Sequence, residues 1–114
     1  MKNMNTPAKS LTAAVCFLLN TPAFCAEKEF KLVIRDHKFE PAEQSVPAGR
    51  KFTLAVENRD DTAEEIESYS LNREKVIAGH GHGNLFLGPL KPGRYEFFGD
   101  FHKDTAKGVL VAKD

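Results

Sequence analysis

Residues 88–102, GPLKPGRYEFFGDFH from Gly88 to His102, decide how this chain is read. The stretch opens as a loop and tightens into a turn at Pro92-Gly93. Proline pre-sets one turn dihedral there, and glycine supplies the positive φ that follows. Arg94 to Phe98 then reads as a strand, with Tyr95 and Phe97 on one face. The segment runs out at His102, a potential metal ligand.

The same pattern extends outward in both directions. Phe30, Leu32 and Ile34 alternate with charged residues and Val33, which predicts a half-buried strand over 28–36. Phe39-Glu40-Pro41 breaks it, and Val46-Pro47-Ala48-Gly49 reads as a turn. Phe52, Leu54 and Val56 form a second alternating strand, and Asn58-Arg59-Asp60-Asp61 a polar loop. Glu64 to Leu71 fits a strand or a helical turn: Ile66 and Leu71 have opposite parity, so a regular strand cannot bury both, and a bulge would reconcile them. Leu85 with Leu87 and Val109 with Val111 mark further strands. Short strands punctuated by glycine and proline imply an all-β sandwich or barrel.

Before all of this stands a different kind of segment. Lys2 and Lys9 make a basic start, Leu11 to Leu19 is a short apolar run, and Asn20 to Ala26 reads as a cleavage region. This is the pattern of a secretory signal peptide over residues 1–25, too short for a membrane span. The expectation is a periplasmic protein whose single domain covers residues 26–114. Its two cysteines, Cys16 and Cys25, and its two methionines, Met1 and Met4, lie in that leader, so the remaining chain holds no sulfur ligand. Without Lys2 and Lys9 the balance of 16 basic against 16 acidic residues becomes 14 against 16, a net charge of −2. No basic stripe exists, and nucleic-acid binding has no electrostatic footprint. The remaining ~90 residues suffice for one modest core.

The order of these pieces resembles the cupredoxins. Phe39-x-Pro41, Val46-Pro47-Ala48-Gly49 and a strand ending in Asn58 are similar to the first half of that Greek-key β-sandwich. Pro89-Leu90-Lys91-Pro92-Gly93-x-Tyr95-x-Phe97 and Gly108-Val109-Leu110-Val111 are similar to the second. Glu65-Ile66-Glu67-Ser68 resembles the Glu-Phe-Glu-Ser motif of EfeO-type cupredoxin domains. The ending FFGDFHKDTAKG resembles the small periplasmic cupredoxins that accompany Ftr-type bacterial iron permeases. In the family the strand after the Pro-Gly turn ends in Cys-x-x-His, the core of a blue copper site. This chain has Gly99-Asp100-Phe101-His102, with glycine in place of the cysteine.

The resemblance implies a site at one pole. The loop after Asn58 holds the family's first histidine, and Glu64 or Glu65 stands there in this chain. The methionine expected soon after His102 is missing from Lys103 to Lys107. A blue copper site needs a histidine pair and a thiolate, so a type 1 centre is not expected. Imidazole and carboxylate suit Cu(II), Fe(III), Fe(II), Mn(II) or Zn(II) instead, with copper or iron the expected ion. Glu65, Glu67 and His102 are the expected first ligands, with His80, His82, Asp100 or His37 completing the set. Glu64 substitutes for Glu65 if the register differs by one. Each has a bland reading. His102 can cap a strand end, Glu65 and Glu67 can be a solvated edge that blunts aggregation, and the Gly-His-Gly-His-Gly run can be a flexible loop that loses entropy on binding.

The function this implies is a metal-binding accessory of ferrous iron uptake. It would bind copper or iron and assist oxidation or delivery, alongside a periplasmic partner protein and a membrane iron permease. The alternative is a metal-free docking module anchored by Phe101, and a weaker third is a cuproenzyme with ferrous oxidase turnover. No nucleophile elbow, phosphate loop or zinc motif is present.

Overall fold

The computed structural model describes residues 27–114, so the expected leader over 1–25 lies outside the described residues. Nine strands form a four-stranded sheet, ordered β2-β1-β4-β7, facing a five-stranded sheet, ordered β3-β9-β8-β5-β6. The strands are β1 Lys28–Arg35, β2 Lys38–Glu40, β3 Glu43–Pro47, β4 Phe52–Asn58, β5 Glu64–Ser68, β6 Arg73–Ile77, β7 His82–Leu87, β8 Gly93–Gly99 and β9 Lys107–Lys113. A 3-10 turn, Asp100–His102, follows β8.

Period-two alternation builds the core. Leu32 and Ile34 of β1 pack beside Phe52, Leu54 and Val56 of β4, which runs parallel to β1 with Ile34 level with Asn58. Ile66, Phe97, Leu110 and Ala112 face them from the other sheet. This is the expected all-β sandwich.

Several local expectations change. Val46 and Pro47 belong to β3, paired with β9, rather than to a turn. Leu110 and Ala112 are the buried residues of β9, not Val109 and Val111, because the register with β8 turns the valines outward. Glu64–Leu71 needs no bulge. β5 ends at Ser68, and a turn closed by Asn72 N–H to the Tyr69 carbonyl at 3.1 Å brings Leu71 back against the core. β6 had no sequence signal: Arg73-Glu74-Lys75-Val76 is exposed, and its pairing with β5 alone makes it a strand.

One pole of the sandwich is tied together by Asn58. Its side-chain amide donates to the carbonyls of Thr62 and Ile77, and its oxygen accepts from Asp60 N–H. Its backbone N–H reaches Gly81. The end of β4, the start of β7 and the loop before β5 therefore meet there.

Candidate metal centre

β5 decides where each glutamate goes. Successive side chains of a strand point to opposite faces, and here Glu64, Ile66 and Ser68 point inward while Glu65 and Glu67 point outward. Glu64 is 1 % exposed. A buried carboxylate is tolerable only when its oxygens are well partnered. Oε1 accepts from the backbone N–H of Phe101 at 2.9 Å and of Glu65 at 3.1 Å. Oε2 lies 2.6 Å from Nδ1 of His102.

His37 completes this pole. Asp36 and His37 form the two-residue link between β1 and β2, with φ of 54° and 58°. Such links favour Asn-Gly because side chains are strained at positive φ. Here the strain is offset by Asp60, whose carboxylate oxygens accept the Asp36 and His37 amides at 2.7 and 2.9 Å. Burial pushes the Asp60 carboxyl up, but those two amides outweigh it and hold it below the usual range. The imidazole of His37 is thereby laid flat on His102, ring centres 3.5 Å apart and planes 13° apart. Parallel rings do not aim their nitrogens at one point, so the pair does not chelate a single ion in this arrangement.

A second group lies on the other side of β5. Carboxylate oxygens of Glu65, Glu67 and Asp100 come within 4.8 Å of one another. Partial burial and the negative charges of Glu74, Asp100 and Glu67 raise the Glu65 carboxyl above its ordinary range. Lys103 sits at the rim, 3.2 Å from Asp100, and that contact raises its own ammonium.

The expected single ring of ligands is therefore divided. Glu65, Glu67 and Asp100 converge, but His102 turns inward to Glu64. Among the described residues no histidine joins the carboxylate group. His80 is spent on Asp61, at 2.6 Å on an exposed loop. His82 lies opposite Glu57 on the outer face of the other sheet, in a shallow cleft shared with Arg59. The Arg59 hydrogen bond holds Glu57 low. Glu64 is the carboxylate at the pole, and Glu65 points away because the register falls one residue earlier. The signal was present in the strand itself: Ile66 must be buried, so its even-numbered neighbours follow it inward.

A family model described as a cupredoxin-like domain matches residues 9–112. The chain belongs to the cupredoxin-like domain family. An uncharacterized protein of Rickettsia prowazekii, RP394, is 51 % identical over 86 residues, covering 75 % of this chain and 69 % of its own. Among solved structures, the blue copper protein auracyanin A of Chloroflexus aurantiacus superposes with a TM-score of 0.67 at 12 % identity, over 77 % of this chain and all of its own. The metal-binding domain of the Streptococcus pneumoniae Cu(I)-exporting ATPase CopA superposes with a TM-score of 0.65 at 16 % identity, over 75 % and 85 %. At these identities the structures establish a shared fold and nothing finer.

The family's copper raises the question of fit, and a type 1 centre does not fit this cupredoxin. Residues 27–114 contain no cysteine or methionine. A Cβ at Gly99 would lie 2.5 Å from Cδ of Glu64 and 2.6 Å from Cβ of Ala106. The space in which a thiolate side chain would begin is filled by the Glu64 carboxylate.

Proposed function

We propose that this cupredoxin is an exported metal-binding accessory of bacterial iron uptake, working through its outer carboxylates rather than through a blue copper pole. The observation that carries this reading is the convergence of Glu65, Glu67 and Asp100 within 4.8 Å. Three carboxylates repel one another; burial first, and then the neighbouring negative charges, raise Glu65, and a bound cation relieves that repulsion. Oxygen donors suit hard ions such as iron in preference to soft Cu(I). The resemblance of Glu65-Ile66-Glu67-Ser68 to the EfeO-type motif supports iron as cargo and a permease of the Ftr type as the destination. Lys103 competes for Asp100, so loading requires its ammonium to swing away. The test is titration of the tag-free chain with Fe(II), Fe(III), Cu(II) and Zn(II), beside a Glu65→Ala/Glu67→Ala variant. One-to-one binding lost in the variant supports the reading; equal binding in both sinks it.

A second reading rests on Phe101, half exposed beside the pole. There the domain acts as a metal-free module that docks on a periplasmic partner or the permease. It requires that Phe101→Ala abolish partner capture while the purified protein binds no metal.

A further inference from the structure

Gly99 and Glu64 together carry a conclusion that does not depend on the outer carboxylates. Four observations meet at one point. The Cβ missing from Gly99 would fall 2.5 Å from Cδ and 2.7 Å from Oε2 of Glu64. Glu64 is buried, yet all its partners come from the segment after β8 and from its own strand: Phe101 N–H, His102 Nδ1 and Glu65 N–H. The 3-10 turn holding His102 has no side-chain cap of its own. His102 in turn supports the ring of His37, which arrives on a strained turn.

We infer that Glu64 has taken over the metal's task as well as the thiolate's space, acting as the positioning residue that fixes His102 and organises the pole without an ion. A carboxylate has no proton to give in its ionised form and only accepts. With Glu64 ionised and the imidazole neutral, the Nδ1 atom 2.6 Å from Oε2 carries the imidazole proton, and Nε2 keeps its lone pair. A histidine that ligates a metal is held in the same way, by a carboxylate on its other nitrogen. Here that orienting bond is made in advance. In that state the pole has one oriented imidazole, stacked under His37, beside a space that Glu64 fills. It does not offer a closed copper site.

The experiment is nitrogen NMR of the imidazole of His102 in the metal-free chain, in alkaline solution where free imidazole is neutral. Wild type is expected to carry its proton on Nδ1. Glu64→Gln keeps the volume and both amide bonds, but presents an NH2 group in place of one oxygen. It is expected to move the proton to Nε2 without unfolding the chain. A wild-type Nε2–H tautomer, or a tautomer unchanged by Glu64→Gln, overturns the assignment. The second measurement is the visible spectrum of Gly99→Cys with Cu(II). No intense thiolate-to-copper band is expected while Glu64 fills the space. The appearance of that band shows that the pole still accepts a blue copper centre, and overturns the inference from the other side.

Discussion

Strand β5 carries three glutamates in five residues, and its two faces treat them in opposite ways. Inward, Glu64 is buried, with two backbone amides donating to Oε1 and Nδ1 of His102 2.6 Å from Oε2. Outward, Glu65 and Glu67 face Asp100 and Glu74 with like charges and one lysine at the rim. The inner carboxylate is a finished structural element. The outer ones have more negative than positive neighbours. A residue's type says little about its role until the face it occupies is known.

The largest way to break this comparison is Glu64→Ala. It strands two amides and an imidazole nitrogen around a buried site. The cost is on the order of 3–5 kcal/mol, read as a fall in unfolding free energy by denaturant titration. Glu67→Ala, three positions along and on the opposite face of the same strand, is expected to leave the unfolding midpoint essentially unchanged. Equal losses in the two variants would erase the distinction between the faces.

Gly99→Ala probes the same contact by addition. One methyl group must push against Glu64 and Ala106, and overpacking of this kind costs about 1–3 kcal/mol. A thermal midpoint equal to wild type would show that the space is not filled. Asp60→Asn is smaller, about 1 kcal/mol, because one amide keeps an acceptor. Its pH signature sharpens the point. The folded-state carboxyl is depressed, so its contribution is present above the unfolded value and lost as pH falls through the folded one. The variant's deficit should therefore vanish in strong acid.

The outer face should respond in the opposite direction. Glu65 is raised in the fold, so its ionisation weakens the protein fully above the raised folded value. That penalty shrinks as pH falls below the folded value and is gone below the unfolded one. Protons and cations compete for the same oxygens, so cation affinity should drop over the same interval. The smallest effect is expected from Glu67→Gln without metal. It removes one negative neighbour and moves the Glu65 titration downward, as carboxyl NMR would register; an unmoved titration would mean that Glu67 is not part of the group.

Much of this protein was legible from residue order. Alternation at Leu32-Ile34 and Phe52-Leu54-Val56 marked core strands because a half-buried strand needs one apolar face. Pro92-Gly93 marked where β8 begins, although Pro92 makes only a bend and Gly93, at φ 155°, is the first strand residue and not a turn residue. Gly99 ahead of His102 already argued against a thiolate centre. β6 was illegible because its residues are exposed and it exists through pairing with β5. At the pole residue order left Glu64 and Glu65 both open, and the register turns Glu64 inward, since a one-residue register change exchanges the faces of a strand.

The sequence by itself determined the all-β class, the cupredoxin resemblance and the absence of sulfur from residues 27–114, because composition and period-two patterning are local properties. Only the tertiary structure decided that Glu64 meets His102 and fills the space beside Gly99, that His37 stacks on His102, and that Glu65, Glu67 and Asp100 share the other face. Those contacts join residues far apart in the chain, and their geometry exists only once two sheets have packed and one register has been chosen.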